Sequence, residues 1–327
     1  MSADLPPALR AALDRLAGRF GGRDLAAASR RLTEDYRAGR GSRLPAPVDL
    51  AAYAIARMPA TYAACAAVLE EAAARVDLAP RSLLDVGCGP GTATWAAAET
   101  FPGLVEAAMR DAHAGMIALG RDLATEGPAL LAGADWKTGR LEAVVPASAD
   151  LVVASYALNE LKPAEVAGTA RALYAAASGV LVLVEPGTPA GFAVIAAARI
   201  ALIAAGARVA APCPGAATCP VAAPDWCHFS ARLPRLRAHK AAKSADVPFE
   251  DERYAYLVLA RPYLRIDAAP ARILRPPHAD KAGTSFTLCT STGLTQRVVA
   301  SRDRDAHRLT RRLGWGDAFP SESPEPP

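Results

Sequence analysis

Aromatic residues are scarce in this chain of 327 residues, at 6%, and only 21% of residues are charged. Alanine fills much of the space they leave, which favours helix. Long uncharged apolar runs are missing too. The most apolar stretch, Phe192 to Ala207, is interrupted by Arg199 and is too short to cross a bilayer, so no membrane-spanning helix is expected. The first residues, MSADLPPALRAALDRL, lack a charged start followed by an apolar core; no secretory signal is read, and the expected location is cytoplasmic. In a reducing compartment the six cysteines are read as free, catalytic or metal-bound, not as disulfides. Core-forming material is plentiful. At 52% apolar residues, the chain can bury a sizeable core, which excludes global disorder.

Other absences narrow the chemistry. The glycine-rich segment lacks G-x-G-x-x-G spacing, so the dinucleotide fingerprint is absent. Ser155-Tyr-Ala-Leu-Asn-Glu-Leu161 carries no N/D-P-P-Y to position an amine acceptor, and no Pro-Cys pair for attack on cytosine. Cys213, Cys219 and Cys227 are separated by six and eight residues, too wide for C-x-x-C zinc knuckles and unlike a ferredoxin run.

What is present reads as alternating helix and strand. Helices are predicted at 6–20, 24–37 and 47–76, the last broken near Pro59. Strands at 82–86, 104–110, 150–155 and 180–185 then alternate with helices at 91–100, 113–124, 163–177 and 189–207. Continuous apolar strands between helices predict an α/β fold with a parallel sheet covered on both faces. Further strands are expected at 254–260 and 285–290, with 295–300 as a hairpin partner. Loops or small insertions are expected over 211–252 and 267–283. The expected organisation is an N-terminal helical region over 1–76 and a core over 77–210. A cysteine-rich basic insertion follows over 211–252, then C-terminal strands completing the core over 253–313 and a tail over 314–327, disordered from Ser321.

Ser82-Leu-Leu-Asp-Val-Gly-Cys-Gly-Pro-Gly91 follows a strand and opens a helix, and glycines at Gly87, Gly89 and Gly91 let a backbone turn tightly against a ligand. The D-x-G-x-G-x-G pattern resembles the first motif of class I S-adenosylmethionine-dependent methyltransferases. That resemblance implies a Rossmann-like methyltransferase fold, with Asp85 acting on the methionyl ammonium of the cofactor. Asp111, ending the second strand, suits ribose hydroxyls; Asp135 and Trp136, after the expected third strand, suit the adenine. Asn159 completes the cofactor-binding candidates. Cys88 in the loop is read as a small buried residue.

Cys213, Cys219 and Cys227 fall within fifteen residues, in a Pro- and Gly-containing stretch that suits a chelating loop. Thiolates select soft metals, and four of them suit zinc or an iron–sulfur cluster. The fourth ligand must come from elsewhere, with Cys289 the first candidate and His228 the second.

Together these segments resemble the ribosomal small-subunit-associated methyltransferase-like proteins, a family with mitochondrial and bacterial members. The matching residues are Tyr53-Ala-Ile-Ala-Arg-Met-Pro59, Leu84 to Thr92, Tyr156 to Leu161, Leu183-Val-Glu-Pro-Gly-Thr-Pro-Ala-Gly-Phe192, Trp226-Cys-His-Phe229 and Trp315-Gly-Asp317. The resemblance implies binding to the small ribosomal subunit and its rRNA during assembly. It also implies a four-iron four-sulfur (4Fe-4S) cluster on Cys213, Cys219, Cys227 and Cys289, with zinc as the runner-up, and methylation of rRNA as the presumed activity. A non-catalytic assembly factor and a small-molecule methyltransferase with structural zinc are the alternatives. Neither DNA nor a membrane is an expected partner.

Charge is unevenly spread. Residues 1–190 hold 18 Lys/Arg against 21 Asp/Glu, and residues 191–327 hold 19 against 12. Such asymmetry suits a polyanion facing the second half. Arg232, Arg235, Arg237, Lys240 and Lys243, following the cysteines, are the RNA-binding candidates, with a second arginine-rich run from Arg297 to Arg312.

Overall fold

A computed structural model describes residues 4–37, 44–139, 148–215, 218–235, 237, 239–240 and 247–320. The expectation of a disordered end beyond Ser321 lies outside the described residues.

Three helices come first: α1 (Pro7–Gly18), α2 (Gly22–Arg37) and α3 (Pro47–Arg75). Proline at the first turn of α1 and of α3 sits where its missing N–H costs nothing. Pro59 does not break α3, contrary to the sequence reading. The helix continues for 29 residues because its alanine-rich surface is packed against α4 (Thr92–Thr100) and the sheet, and this burial outweighs one lost hydrogen bond. By length and composition alone α3 passes for a membrane span; it is instead mostly buried inside the protein.

The main sheet runs β3-β2-β1-β4-β5-β8-β6. Its strands are β1 (Ser82–Val86), β2 (Glu106–Asp111), β3 (Asp135–Thr138), β4 (Ala149–Ser155), β5 (Ala177–Pro186), β6 (Arg208–Ala211), β7 (Phe229–Pro234) and β8 (Phe249–Ala260). The first five are parallel, and β8 runs antiparallel to β5. This order, with one antiparallel strand inserted beside β5, is a Rossmann-like methyltransferase fold. Alternate residues of the inner strands feed two cores: Leu83 and Val153 face α3 and α4, while Leu84 and Val152 face α7 (Pro163–Ala176) and α8 (Pro189–Ala204). Between them lie α5 (Ala114–Ala124) and α6 (Ala129–Ala132).

β8 is longer than expected and begins at Phe249. Its first half pairs with β7 and its end with β6, so two parts of the predicted loop over 211–252, Phe229–Pro234 and 249–252, are strand. The hairpin of β11 (Gly283–Thr290) and β12 (Gly293–Ala300) forms as expected, but not in the main sheet. With β9 (Ala271–Ile273), β10 (His278–Ala279) and β13 (Ala318–Phe319) it builds a second sheet around Ile273, Phe286, Leu288 and Phe319. A short helix, α9 (Arg304–Thr310), packs beside β12.

Candidate cofactor and metal sites

The loop between β1 and α4 is held by its own backbone. Gly87, Gly89 and Gly91 have φ of 67°, 52° and 86°, in the left-handed region that glycine enters without strain. The amides of Gly87 and Cys88 both donate to the carbonyl of Arg110, at 2.8 and 3.0 Å. A Cβ on Gly91 would lie 2.7 Å from the Trp136 ring, and one on Gly87 would lie 2.5 Å from the Ala157 Cβ. At Gly89 a Cβ would meet nothing within 4 Å, so this is the open side of the loop.

Asp85, under the loop, is fully buried. The Thr94 hydroxyl donates to its Oδ2 at 2.8 Å, while Oδ1 has no hydrogen-bond partner. Burial pushes its pKa up to about 7; Thr94 opposes the shift and nearby Asp111 adds to it. Asp111, at the end of β2, accepts the Gly89 amide on Oδ2 and the His113 amide on Oδ1, both at 2.7 Å. It fastens the loop, and each oxygen keeps a lone pair for a ligand hydroxyl.

The remaining expected residues divide. Trp136 is 3% exposed and supports Gly91 and Gly120 from below. Asp135 stands at the far end of β3: it is level with Ala108, whereas Thr138 is level with Asp111. There it pairs with Arg110 and Lys137, which hold its pKa low. The strand begins at Asp135, where the sequence reading ended it, and so the fold does not bring this residue to the loop. Asn159 lies at the correct end, in the short turn after β4, next to Leu158, whose amide donates to Glu185.

Glu185 was not among the expected site residues. It is fully buried near the end of β5, with Oε1 accepting the Leu158 amide at 2.9 Å and Oε2 without a partner. Burial raises its pKa to about 8, against the amides of Leu158, Asn159 and Ala157. Beside it, Tyr156 has φ of 55°, a strained value for a non-glycine residue, and its hydroxyl donates to Glu252 at 2.8 Å. The signal available in the sequence was an acid ending an apolar strand at the edge where α/β sheets bind ligands.

The four expected metal ligands come from three places: Cys213 and Cys219 after β6, Cys227 just before β7, and Cys289 on β11. All are free thiols. The fold brings them close enough to feel one another's charge. Burial, then Cys213, Cys219 and Cys289, raises Cys227 well above the ordinary thiol range. Burial, then Cys213 and Cys219, pushes Cys289 up to about 11. Among the described residues, no three His, Cys, Asp or Glu side chains already stand in metal-holding geometry. His228 is engaged otherwise, stacked on Trp226 with ring centroids 5.0 Å apart and edge-on to Trp315 at 4.9 Å. Trp226 in turn donates to the Gly187 carbonyl at 2.9 Å, tying the cysteine block to the end of β5.

The basic candidates are partly committed within the protein. Arg232 pairs with Asp251 at 2.7 Å and lies over Phe249; Arg235 pairs with Glu250 at 3.2 Å. Arg237 is exposed and Lys240 half-buried, and Lys243 lies outside the described residues. Arg302, Arg304, Arg308, Arg311 and Arg312 are exposed around α9.

A family model described as the mitochondrial small ribosomal subunit protein Rsm22 matches residues 47–320. The human ribosome assembly protein METTL17, mitochondrial, is 28% identical over 292 residues, covering 83% of this chain and 62% of its own length. Rsm22-cox11 tandem protein 2, mitochondrial, of Schizosaccharomyces pombe is 29% identical over 224 residues, 53% of this chain and 29% of its own. The chain thus spans less than two thirds of these relatives. A magnesium protoporphyrin IX methyltransferase from Synechocystis PCC 6803 overlaps 70% of this chain at a TM-score of 0.42 and 14% identity, covering 93% of its own; the fold rests on the strand order, not on that overlap. Since the family match covers most of its length, the chain belongs to the mitochondrial small ribosomal subunit Rsm22 family.

Proposed function

We propose that this chain is a ribosome assembly factor that binds S-adenosylmethionine at the glycine loop and a metal centre at the four cysteines. On this reading it acts on the small ribosomal subunit and its rRNA. The observation that carries the cofactor reading is the unpartnered Oδ1 of buried Asp85, at the end of β1 before a loop that is open at Gly89. A buried, half-satisfied carboxylate is costly unless a donor completes it, and the cofactor's ammonium is such a donor. Bound there, the cofactor would supply an electrophilic methyl group. The chain's own residues hold the surroundings: Asp111 fastens the loop, and Glu185 fixes the turn after β4 through backbone amides.

For the metal, four thiol donors are of the type a 4Fe-4S cluster takes, with zinc as the alternative. Cys213, Cys219, Cys227 and Cys289 would hold it after a local adjustment of the chelating loop. The named relatives are mitochondrial, so the compartment proposed is the one housing the ribosome this chain serves; the cytoplasmic expectation gives way to that. RNA contact is proposed for Arg237, Lys240 and the exposed arginines around α9, with Arg232 and Arg235 contributing only by exchanging their acidic partners.

Three measurements test the reading. Calorimetry should show cofactor binding that Asp85→Asn weakens. Anaerobic purification should give iron and sulfide, whereas zinc alone would select the alternative. Co-sedimentation with small-subunit particles, with transfer of labelled methyl as a second readout, should separate a methylating factor from a purely binding one. Failure to co-sediment would remove the ribosomal role.

A further inference from the structure

β12 lies at an edge of the second sheet. Among the described residues it pairs only with β11, in an unbroken register from Gly283–Ala300 to Thr290–Gly293. Proteins commonly blunt such edges with proline, a bulge or a covering element, because free main-chain groups can pair with another strand. β12 has neither proline nor bulge. Alternate residues of an antiparallel strand turn their N–H and C=O away from the partner. The Thr287 carbonyl accepts the amide of Leu274, on the far side of β11 from β12, at 2.9 Å. Thr287 therefore does not bond to Gln296, the residue opposite it, and the outward set on β12 is Leu294, Gln296 and Val298.

The two faces of this edge differ. Leu294 and Val298 share one face, and their apolar side chains are 48% and 68% exposed. Arg297 is on the other, opposite buried Phe286. α9 lies on that side too, since its Ala306 packs against the core around Phe286 and Val299. Exposed Arg302, Arg304, Arg308, Arg311 and Arg312 surround it. From Gly293 to Arg312 the chain holds six arginines against two aspartates. A phosphate backbone has no use for apolar side chains. Main-chain donors and acceptors beside apolar side chains suit a peptide strand, and the charge selects an acidic one.

We propose that the free edge of β12 is a docking site for an extended acidic segment of a protein partner, which adds a strand to the second sheet. The main chain of that segment pairs with Leu294, Gln296 and Val298. Side chains alternate along a strand, so its apolar residues fall beside Leu294 and Val298, and its acidic residues fall toward Arg297 and the arginines around α9. The recognised pattern is therefore alternation of apolar and acidic residues over about five positions. The charge around α9 is shared with the proposed RNA contact, but peptide docking is measured without ribosomes, so either reading can fail alone.

The test uses the full chain and a capped peptide of alternating valine and glutamate. A peptide with lysine for glutamate is the control, and oligouridylate is the RNA probe. Binding is read by fluorescence anisotropy, and protection by amide exchange at Leu294, Gln296 and Val298. The valine–glutamate peptide should slow exchange at these amides and bind at least about tenfold more tightly than its lysine control. Gln296→Pro removes the central outward amide and leaves the ladder to β11 intact, a place where proline is tolerated. It should weaken binding about tenfold. Val298→Glu, at an exposed position, should weaken it through charge repulsion and lost apolar contact, and carries the test if the proline variant fails to fold. Protection of the same amides by oligouridylate and not by peptide makes the edge an RNA surface and overturns the proposal. Protection that rises with protein concentration in the absence of any probe makes it an interface between copies, with the same result. Peptide binding that both variants leave unchanged, or no peptide binding at all, overturns it as well.

Discussion

The glycine loop and the proposed cysteine site would be opposite ways of building a binding site. The loop is local: three left-handed glycines, a buried acid and a carboxylate that ties it down come from residues 85–111. The proposed cysteine site would be assembled at long range, from the segments after β6 and just before β7 and from a strand of the second sheet much later in the chain. A local site keeps its shape as long as its own turn survives. A long-range site depends on every segment that brings its ligands together, and on the metal itself. The two regions should therefore fail differently.

The largest expected effect is on the distant site. Cys289→Ser should abolish loading and with it the stability gained from the metal, since metal-binding energy is folding energy, on the order of 10 kcal/mol in structural zinc sites. Cofactor binding at the loop should persist in the same variant. Thermal unfolding with and without metal, beside a cofactor titration, checks both halves.

Next come the glycines. Gly91→Val drives a side chain toward the Trp136 ring at a φ of 86°, and should destabilise the fold by about 3 kcal/mol. Gly89→Val meets open space, so its cost should be the backbone strain alone, about 1–2 kcal/mol, while it blocks the face where the cofactor approaches. Denaturant melts and calorimetry on the pair separate packing from ligand access.

A smaller effect concerns pH. Asp85 and Glu185 have folded-state pKa values raised to about 7 and about 8, above their unfolded values. Between the unfolded and folded pKa the unfolded state binds fewer protons, so these groups make stability fall as pH rises through that window. Asp85→Asn and Glu185→Gln should each flatten the decline of the ligand-free protein between about pH 5 and pH 8. Melting temperatures across that range measure it.

The smallest effect is expected at the basic hairpin. Arg232 and Arg235 already pair with Asp251 and Glu250, so replacing them by alanine should weaken binding to small-subunit particles less than replacing Arg308, Arg311 and Arg312. A salt series on both triple variants, with Arg237→Ala completing the first, reads the number of phosphate contacts from the slope.

Much of this was legible in the sequence. The strand–glycine–helix unit and the parallel strands were, because continuous apolar runs and turn glycines are local signals. The register of β3 was not: two residues, Asp135 and Trp136, gave no sign of which end of the strand they occupied. Pro59 misled because a residue's helix-breaking tendency is local, while the packing that overrides it is not. The second sheet escaped because strands of two or three residues, such as β9, β10 and β13, are set by their partners. Glu185 and Arg199 were visible as charges in apolar runs, but only burial reveals that both face inward.

The most direct test of the cofactor site is a calorimetric titration of S-adenosylmethionine into wild type and Asp85→Asn at several pH values from 5.5 to 7.5. If the ionised Asp85 carboxylate receives the ammonium, wild-type affinity should fall about tenfold per pH unit as the pH drops well below 7. The variant should bind weakly and with little dependence on pH over the same range. Equal affinities for the two proteins at every pH would contradict the account.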